Sequence, residues 1–309
     1  MKTLVEYAKG LPTNDPARPL IESFATSSDI MQVIPFDGLT GPVYEGFRQA
    51  ALPTMGFRGI NEAGTNGTGK VEPFQEPSFI IDHDLDVDRA IVQRYGETRR
   101  AREETMAMAA AGKLWVDTFL KGDNPSNPRV FDGLQRRARL FGRTHHNSVA
   151  PGGAALSLYS LDKLRQQVSN PTHWIAGFDL MPRFIQAARN TAISGFVIQS
   201  WDEVGRPKMT YAGLPILFGY EKDDHGTILP FNEVATGGGS AVTTSVYLAS
   251  FRDGGLKGLQ IQPMSFQDKG LLENGITYRT HMSWDVGLVD EHKYCLARLT
   301  SITDAAFVA

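Results

Sequence analysis

An α+β fold is predicted, and three observations predict it. Residues 88–121 place Ile91, Tyr95, Met106, Ala110, Leu114 and Trp115 at spacings near 3.6, the period of a helix. Two long segments near the C-terminus, 276–284 and 294–302, alternate apolar and polar residues as strands do. Between residues 53 and 85 the chain makes a long polar excursion rich in glycine and threonine and doubles back; Phe57, Ile60, Val71 and Phe74 are almost its sole apolar side chains.

The elements follow in order. Pro12, Pro16, Pro19, Pro35, Pro42 and Pro53 exclude long helices from the first part of the chain and interrupt sheet ladders there. One short amphipathic piece remains at 19–25, with Leu20, Ile21 and Phe24 on a face, followed by the apolar patch Met31, Val33, Ile34 and Phe36. This reads as an extended arm, residues 1–52, whose scattered anchors pack outside its own core. Each arm of the 53–85 hairpin, at about 16 residues, reaches roughly 50 Å at strand rise. A two-stranded ribbon with no core beneath it is marginal in water and presents bare edges. The expectation is that it lies on a neighbouring copy of the chain.

The helical run makes a rod of about 50 Å, comparable to the width of a domain whose radius of gyration is about 19 Å. Its middle, 97–105, is nearly all polar, with Arg99 four residues before Glu103 and Arg100 four before Glu104. Gly96 and Gly112 each cost about 1 kcal/mol against alanine and mark the places for a bend, and Gly122 is placed to cap the C-terminus. After the short piece Phe131, Asp132, Gly133, Leu134, helices are predicted at 161–168 and 179–189. Strands are predicted at 173–176, 196–203, 208–211 and 214–219, then, beyond the glycine-rich loop 236–240, at 245–251 and 256–262. The two tail strands, joined through 285–288, are expected to pack on the rod.

With 309 residues, 34.0 kDa and 41% hydrophobic residues, the chain has enough apolar surface for a core. A net charge of -3 and pI near 6.2 exclude a dedicated binder of phosphate backbone. The lone Cys295 rules out an intrachain disulfide framework. The N-terminus lacks an apolar signal region and no window resembles a membrane span, so a protein that is soluble when made is expected.

Four patterns invite a chemical reading and none sustains it. Residues 64–70 fit GxxxxGK, but Val71 follows Lys70 where a hydroxyl must hold magnesium, and Pro73 and Pro77 prevent the phosphate-binding helix. The alternating carboxylates Asp82, Asp84, Asp86 and Asp88 resemble a calcium loop, yet Val87 stands in place of the glycine and Gln93 in place of the closing glutamate. A solvated strand face running into a helix capped by Asp86 and Asp88 accounts for them. Adjacent His145 and His146 point to opposite sides of a strand and lack companion ligands; a solvated loop is the simpler reading. No GxSxG accompanies a serine, and Cys295 sits in an apolar alternating strand as a buried structural thiol. No catalytic residue, cofactor site or metal site is predicted.

The order of the elements carries a resemblance. Pro35 and Phe36, Leu52-Pro53-Thr54 leading to Phe57-Arg58 and Asn61-Glu62, the polar hairpin, the 84–89 run opening a long helix, Gly122-Asp123 closing it, and Phe131 to Leu134 beyond it resemble the major capsid proteins of tailed bacteriophages with the Hong Kong 97-type fold. Residues 211–216 and 297–299 are similar to that family's axial and peripheral strands. The resemblance implies an N-arm (1–52), an E-loop hairpin (53–85), a peripheral domain with a spine helix (86–149) completed by C-terminal strands (264–309), and an axial domain (150–263). It implies interface roles for Phe36, Phe57, Arg58, Asn61, Glu62, Lys70, Glu72 and Phe74 in contacts between subunits.

It further implies a virion protein, assembled in the host cytoplasm as hexamers and pentamers around DNA that it does not bind specifically, with a portal, separate scaffolding and decoration proteins as partners, and no membrane. Since the chain starts directly in the arm, a separate scaffold or none is expected. Lys70 is placed for the isopeptide cross-link of some relatives, but no asparagine and glutamate partners can be assigned to it. An encapsulin-like nanocompartment shares the architecture, although its members usually replace the arm with a helix. A metal- or nucleotide-dependent enzyme built on residues 82–88 or Lys70 is the alternative from another class.

Overall fold

The computed structural model describes residues 2–12, 17–190, 197–201, 207–219 and 227–308. The predicted strand at 196–203 therefore lies partly outside the described residues. The N-terminal segment is helical where an extended arm was expected: α1 (Leu4–Gly10), α2 (Ala17–Thr26) and α3 (Asp29–Val33). Thr3 and Glu6 form a reciprocal capping box on α1, and Ser28 caps α3. The prolines keep these helices short without preventing them, because Pro12 and Pro35 fall outside them and Pro19 occupies the first turn of α2, where an N–H has no helical partner. Their apolar faces enter the chain's own core: Leu4, Ile21, Phe24, Ile30, Met31 and Ile34 are all buried.

Strand β1 (Phe36–Gly38) follows, then a ribbon of β2 (Val43–Ala51) and β3 (Lys70–Pro77), then β4 (Phe79–Asp88). The hairpin thus starts earlier than residue 53, its tip is the irregular stretch 52–69, and β4 belongs to the body. The rod is broken once. Asp88 caps α4 (Arg89–Tyr95), Gly96 turns with φ of 78°, a left-handed value that favours glycine, and α5 (Glu97–Lys121) continues through Gly112. Both predicted ion pairs form, Arg99 to Glu103 at 2.9 Å and Arg100 to Glu104 at 3.3 Å.

Beyond the rod come α6 (Leu134–Leu140), β5 (Thr144–His146), α7 (Leu158–Arg165), β6 (His173–Ala176) and α8 (Met181–Arg189). Strands β7 (Val197–Trp201), β8 (Pro207–Tyr211), β9 (Leu214–Phe218), β10 (Glu233–Val234), β11 (Ala241–Ala249) and β12 (Leu256–Gln260) follow. The tail holds β13 (Ser265–Leu271), β14 (Thr277–Asp290) and β15 (Leu296–Thr303). Strand β13 was not predicted. Residues 285–288, read as a connection, lie inside β14, and the chain turns after Asp290 instead.

Two larger sheets divide the body. Five strands, β1, β12, β14, β13 and β4, form one, with β14 antiparallel to β4 from Thr277 opposite Asp88 to Val286 opposite Phe79. Eight form the other, ordered β5, β15, β11, β6, β9, β8, β7, with β10 on β11. Strand β12, assigned by sequence to the 150–263 unit, therefore pairs in the first sheet, and β15, assigned to the C-terminal strands on the rod, completes the second. The first core lies where three distant segments meet on α5. Trp284 of β14 receives Phe24 edge-on at 5.3 Å, Phe36 at 5.5 Å and Trp115 at 6.2 Å between ring centroids. The second core gathers Trp174, Tyr211, Phe184 and Phe307 with Val246, Leu248 and Leu299.

Candidate assembly interface

Antiparallel partners share a face of a ribbon, so the register sorts the hairpin's side chains into two rows. Val43, Phe47, Val71, Pro73 and Pro77 stand on the outer face, with Phe47 opposite Pro73 and Val43 opposite Pro77. Tyr44, Arg48, Phe74 and Glu76 stand on the inner face, towards the body. Proline has no N–H for a ladder and is tolerated with its nitrogen turned away from the partner strand; Pro73 and Pro77 thus line the free edge of β3.

Among the described residues nothing covers the outer row or the tip. Phe47 is 76% exposed, Ile60 95% and Phe57 fully, and Leu52, Met55 and Val71 are also open to solvent. At the tip Asn61 takes φ of 68°, the Glu62 carboxylate accepts from the Gly59 N–H at 2.8 Å, and Arg58 Nη1 donates to the Glu62 carbonyl at 3.0 Å. Arg58 and Glu62 therefore spend polar groups on a local turn, with Asn61 in its left-handed position, that leaves Phe57 and Ile60 exposed. A run of apolar side chains held clear of any core is the composition of a contact surface.

The inner row is tied down by charge. Arg48 lies over the Phe74 ring at 3.7 Å and near Phe141 at 5.1 Å, donates through Nε to the Asp290 carbonyl at 2.9 Å, and pairs with Asp290 Oδ2 at 3.1 Å. Arg137 of α6 grips Glu76 with two bonds of 2.8 Å and also reaches Asp290. Tyr44 donates to Glu291 at 2.7 Å, and Lys257 bridges Glu291 at 2.6 Å and Asp37 at 2.9 Å.

Arg137 and Asp290 are buried. Burial works against the Arg137 charge, but Asp290 and Glu76 outweigh it and hold the guanidinium above its ordinary value. Burial pushes the Asp290 carboxyl up against the pull of Arg137 and Arg48. Lys257 is likewise held up, because hydrogen bonds to Glu291 and Asp37 overcome its desolvation.

Of the predicted interface residues, Phe57, Arg58, Asn61 and Glu62 come together at the tip. Lys70 begins β3 opposite Ala51 and is exposed; Glu72 pairs with Lys293 at 2.9 Å; Phe74 lies on the inner face beneath Arg48. Phe36 does not belong with them. It is 3% exposed, packed between Trp115 and Trp284, and its role is in the chain's own core. Sequence reading missed Phe47, masked by its polar neighbours Glu45, Arg48 and Gln49. It missed the whole charged root, whose members lie in separate segments.

The other patterns resolve locally. Asp82, Asp84 and His281 bring ligand-type atoms within 4.8 Å of one another on an exposed face. There Arg279 of β14 pairs with Asp84 at 3.1 Å and Asp86 at 2.6 Å, so cationic side chains already offset the acidic row. Asp88 caps α4 through the Ala90 N–H at 2.6 Å, whereas Asp86, expected to cap with it, is engaged by Arg279. Residues 64–70 span a loop and the first residue of a strand, with no helix behind them. His145 and His146 lie in β5 rather than a loop, and His146 Nδ1 meets the hydroxyls of Thr300 at 2.9 Å and Thr236 at 2.7 Å. Burial pushes the Cys295 thiol up to about 12.

No protein-family model and no curated protein matches this sequence. Solved structures do match, and they define a class: the chain has the Hong Kong 97-type capsid fold. A holo-SrpI encapsulin complex from Synechococcus elongatus aligns with a TM-score of 0.64 at 13% identity, covering 91% of this chain and 89% of that one. A structure of Mycobacterium phage Bobi aligns at 0.62 and 13% identity, covering 91% of each chain. The capsid of an empty GTA particle aligns at 0.59 and 12% identity over 90% of each.

Proposed function

We propose that this chain is the major capsid protein of a tailed bacteriophage, a structural protein rather than an enzyme, which assembles into hexamers and pentamers of an icosahedral head around double-stranded DNA. The observation that carries this reading is the ribbon with an apolar outer face and tip that none of the described residues covers. In that role the ribbon is the E-loop, the five-stranded sheet with α4 and α5 is the peripheral domain, and the eight-stranded sheet is the axial domain. The virion is its location, the host cytoplasm its place of assembly, and a portal with scaffolding and decoration proteins its further partners. With a net charge of -3, the shell holds DNA by confinement. Among the described residues no helix is long and apolar enough to cross a membrane.

A second reading, an encapsulin-like compartment for protein cargo, is favoured by the encapsulin alignment and by α1–α3, since helices now occupy the place where prolines had argued for an arm. Purified protein examined by size-exclusion chromatography and negative-stain microscopy tests the shared part of both readings: closed shells are expected, and a stable monomer overturns them. Particles purified from a productive host then decide between the two, nuclease-protected DNA supporting the capsid and co-purified protein cargo the compartment.

A further inference from the structure

We propose that the charged cluster at the hairpin root is a positioning device that fixes the angle at which the hairpin leaves the subunit. The proposal rests on the hairpin being an assembly arm. Neither apolar core contains a residue of the ribbon between Val43 and Pro77, so apolar packing does not set its direction. Polar anchors do, and they hold both strands. From β2, Tyr44 reaches Glu291 and Arg48 reaches Asp290; from β3, Glu76 is clasped by Arg137.

Three separated anchor points determine the orientation of a rigid body, and the two-bond clasp of Arg137 on Glu76 fixes the plane of the carboxylate as well as its place. The receiving groups are themselves held by the body of the subunit. Asp290 ends β14 and Glu291 follows it, Arg137 is packed in α6, and Lys257 ties Glu291 to Asp37 in the edge strand β1. A buried ion pair is weak evidence for stability, whereas a bidentate clasp of arginine on a carboxylate adds geometric specificity. An arm that must meet a neighbour's surface gains from being aimed before it arrives, because ordering it on contact subtracts from the binding free energy.

The test is a distance measurement on the full-length, unassembled subunit. Nitroxides are placed at Val71→Cys on the ribbon and Tyr159→Cys on the body, both exposed, while the native Cys295 is buried and stays unlabelled. A narrow distance distribution is expected. The pair Tyr44→Phe and Glu76→Gln should widen it at least twofold and lower the yield of uniform closed shells about tenfold, whereas Glu273→Gln, exposed in the turn between β13 and β14, should change neither. If the double variant does not fold, Tyr44→Phe alone, which deletes one hydroxyl, supplies the comparison. A distribution already broad in the parent, or one unchanged by the root substitutions, overturns the proposal. Absence of shells from the parent protein overturns the assembly reading instead, and the distances still decide the hinge.

Discussion

Arg48 holds both the backbone and the side chain of Asp290: its Nε donates to the Asp290 carbonyl at 2.9 Å while Nη2 lies 3.1 Å from Oδ2. A residue of a solvent-swept ribbon is thereby joined to a carboxylate at the inner end of the longest strand. The ribbon is attached at its root and bare along its outer face.

Removing the bare part should separate folding from assembly. Replacing residues 52–69 with a short Gly-Ser turn deletes Leu52, Met55, Phe57 and Ile60, none of which is buried. The shortened subunit should melt within a few degrees of the parent yet fail to form closed particles by negative stain. Normal particles from it would remove the tip from the interface.

Gly122 should tolerate no side chain. A Cβ there would lie 2.3 Å from the Phe131 carbonyl oxygen and 2.5 Å from that of Thr118, both backbone atoms that cannot step aside. Gly122→Ala is expected to cost about 1–3 kcal/mol, the usual range for overpacking. Gly10→Ala, with open space around its Cβ, should be close to neutral in the same denaturant titration.

Acid should weaken the subunit in a defined window. Burial alone would raise the Glu291 carboxyl, but hydrogen bonds from Lys257 and Tyr44 outweigh it and leave it low; Asp268 is lowered chiefly by its hydrogen bond from Arg100. A carboxyl lowered by folding adds stability that is complete above its unfolded value, about 4.3 for Glu and 3.9 for Asp. That stability is lost as pH falls through the folded value. Asp290, raised by burial, works in the opposite sense. Tm should be level between about pH 7 and 5 and fall below about pH 4, and Glu291→Gln with Asp268→Asn should make that fall shallower.

Chelation should change nothing. The ligand-type atoms of Asp82, Asp84 and His281 are close together, but Arg279 already compensates Asp84 and Asp86. Tm in excess EDTA is expected to equal that in added calcium. A drop in EDTA reversed by calcium would establish a structural ion on this face.

Much of the scaffold was legible because it follows local periodicity: the rod, β6 at its predicted bounds and the run of β8 and β9 all carry regular apolar spacing. What failed depends on contacts between distant segments. The prolines exclude long helices, as expected, and the piece expected at 19–25 is α2, but the segment was read as an extended arm packing elsewhere, and only contacts with α5 and β14 draw its short helices into the chain's own core. Residues 285–288 were read as a connection, yet Gly287 sits inside β14 where a Cβ would come within 3.1 Å of the Pro77 carbonyl oxygen at the hairpin root. Phe36 looked like an anchor for another subunit, and only the meeting of Trp115 with Trp284 supplies its pocket. The charged root was invisible for the same reason: Arg48, Glu76, Arg137 and Asp290 are ordinary surface residue types until the fold buries them together.

Pro73 and Pro77 have a consequence for the free chain at high concentration. Fibrillar growth requires a strand that is paired above and below, each copy passing the ladder on to the next. A ribbon whose β3 edge lacks donors at alternate positions can accept a strand on its β2 side but cannot hand the pattern onward. Stacking therefore ends after one addition. At high concentration the exposed apolar ribbon is thereby guarded against ladder growth along its β3 edge.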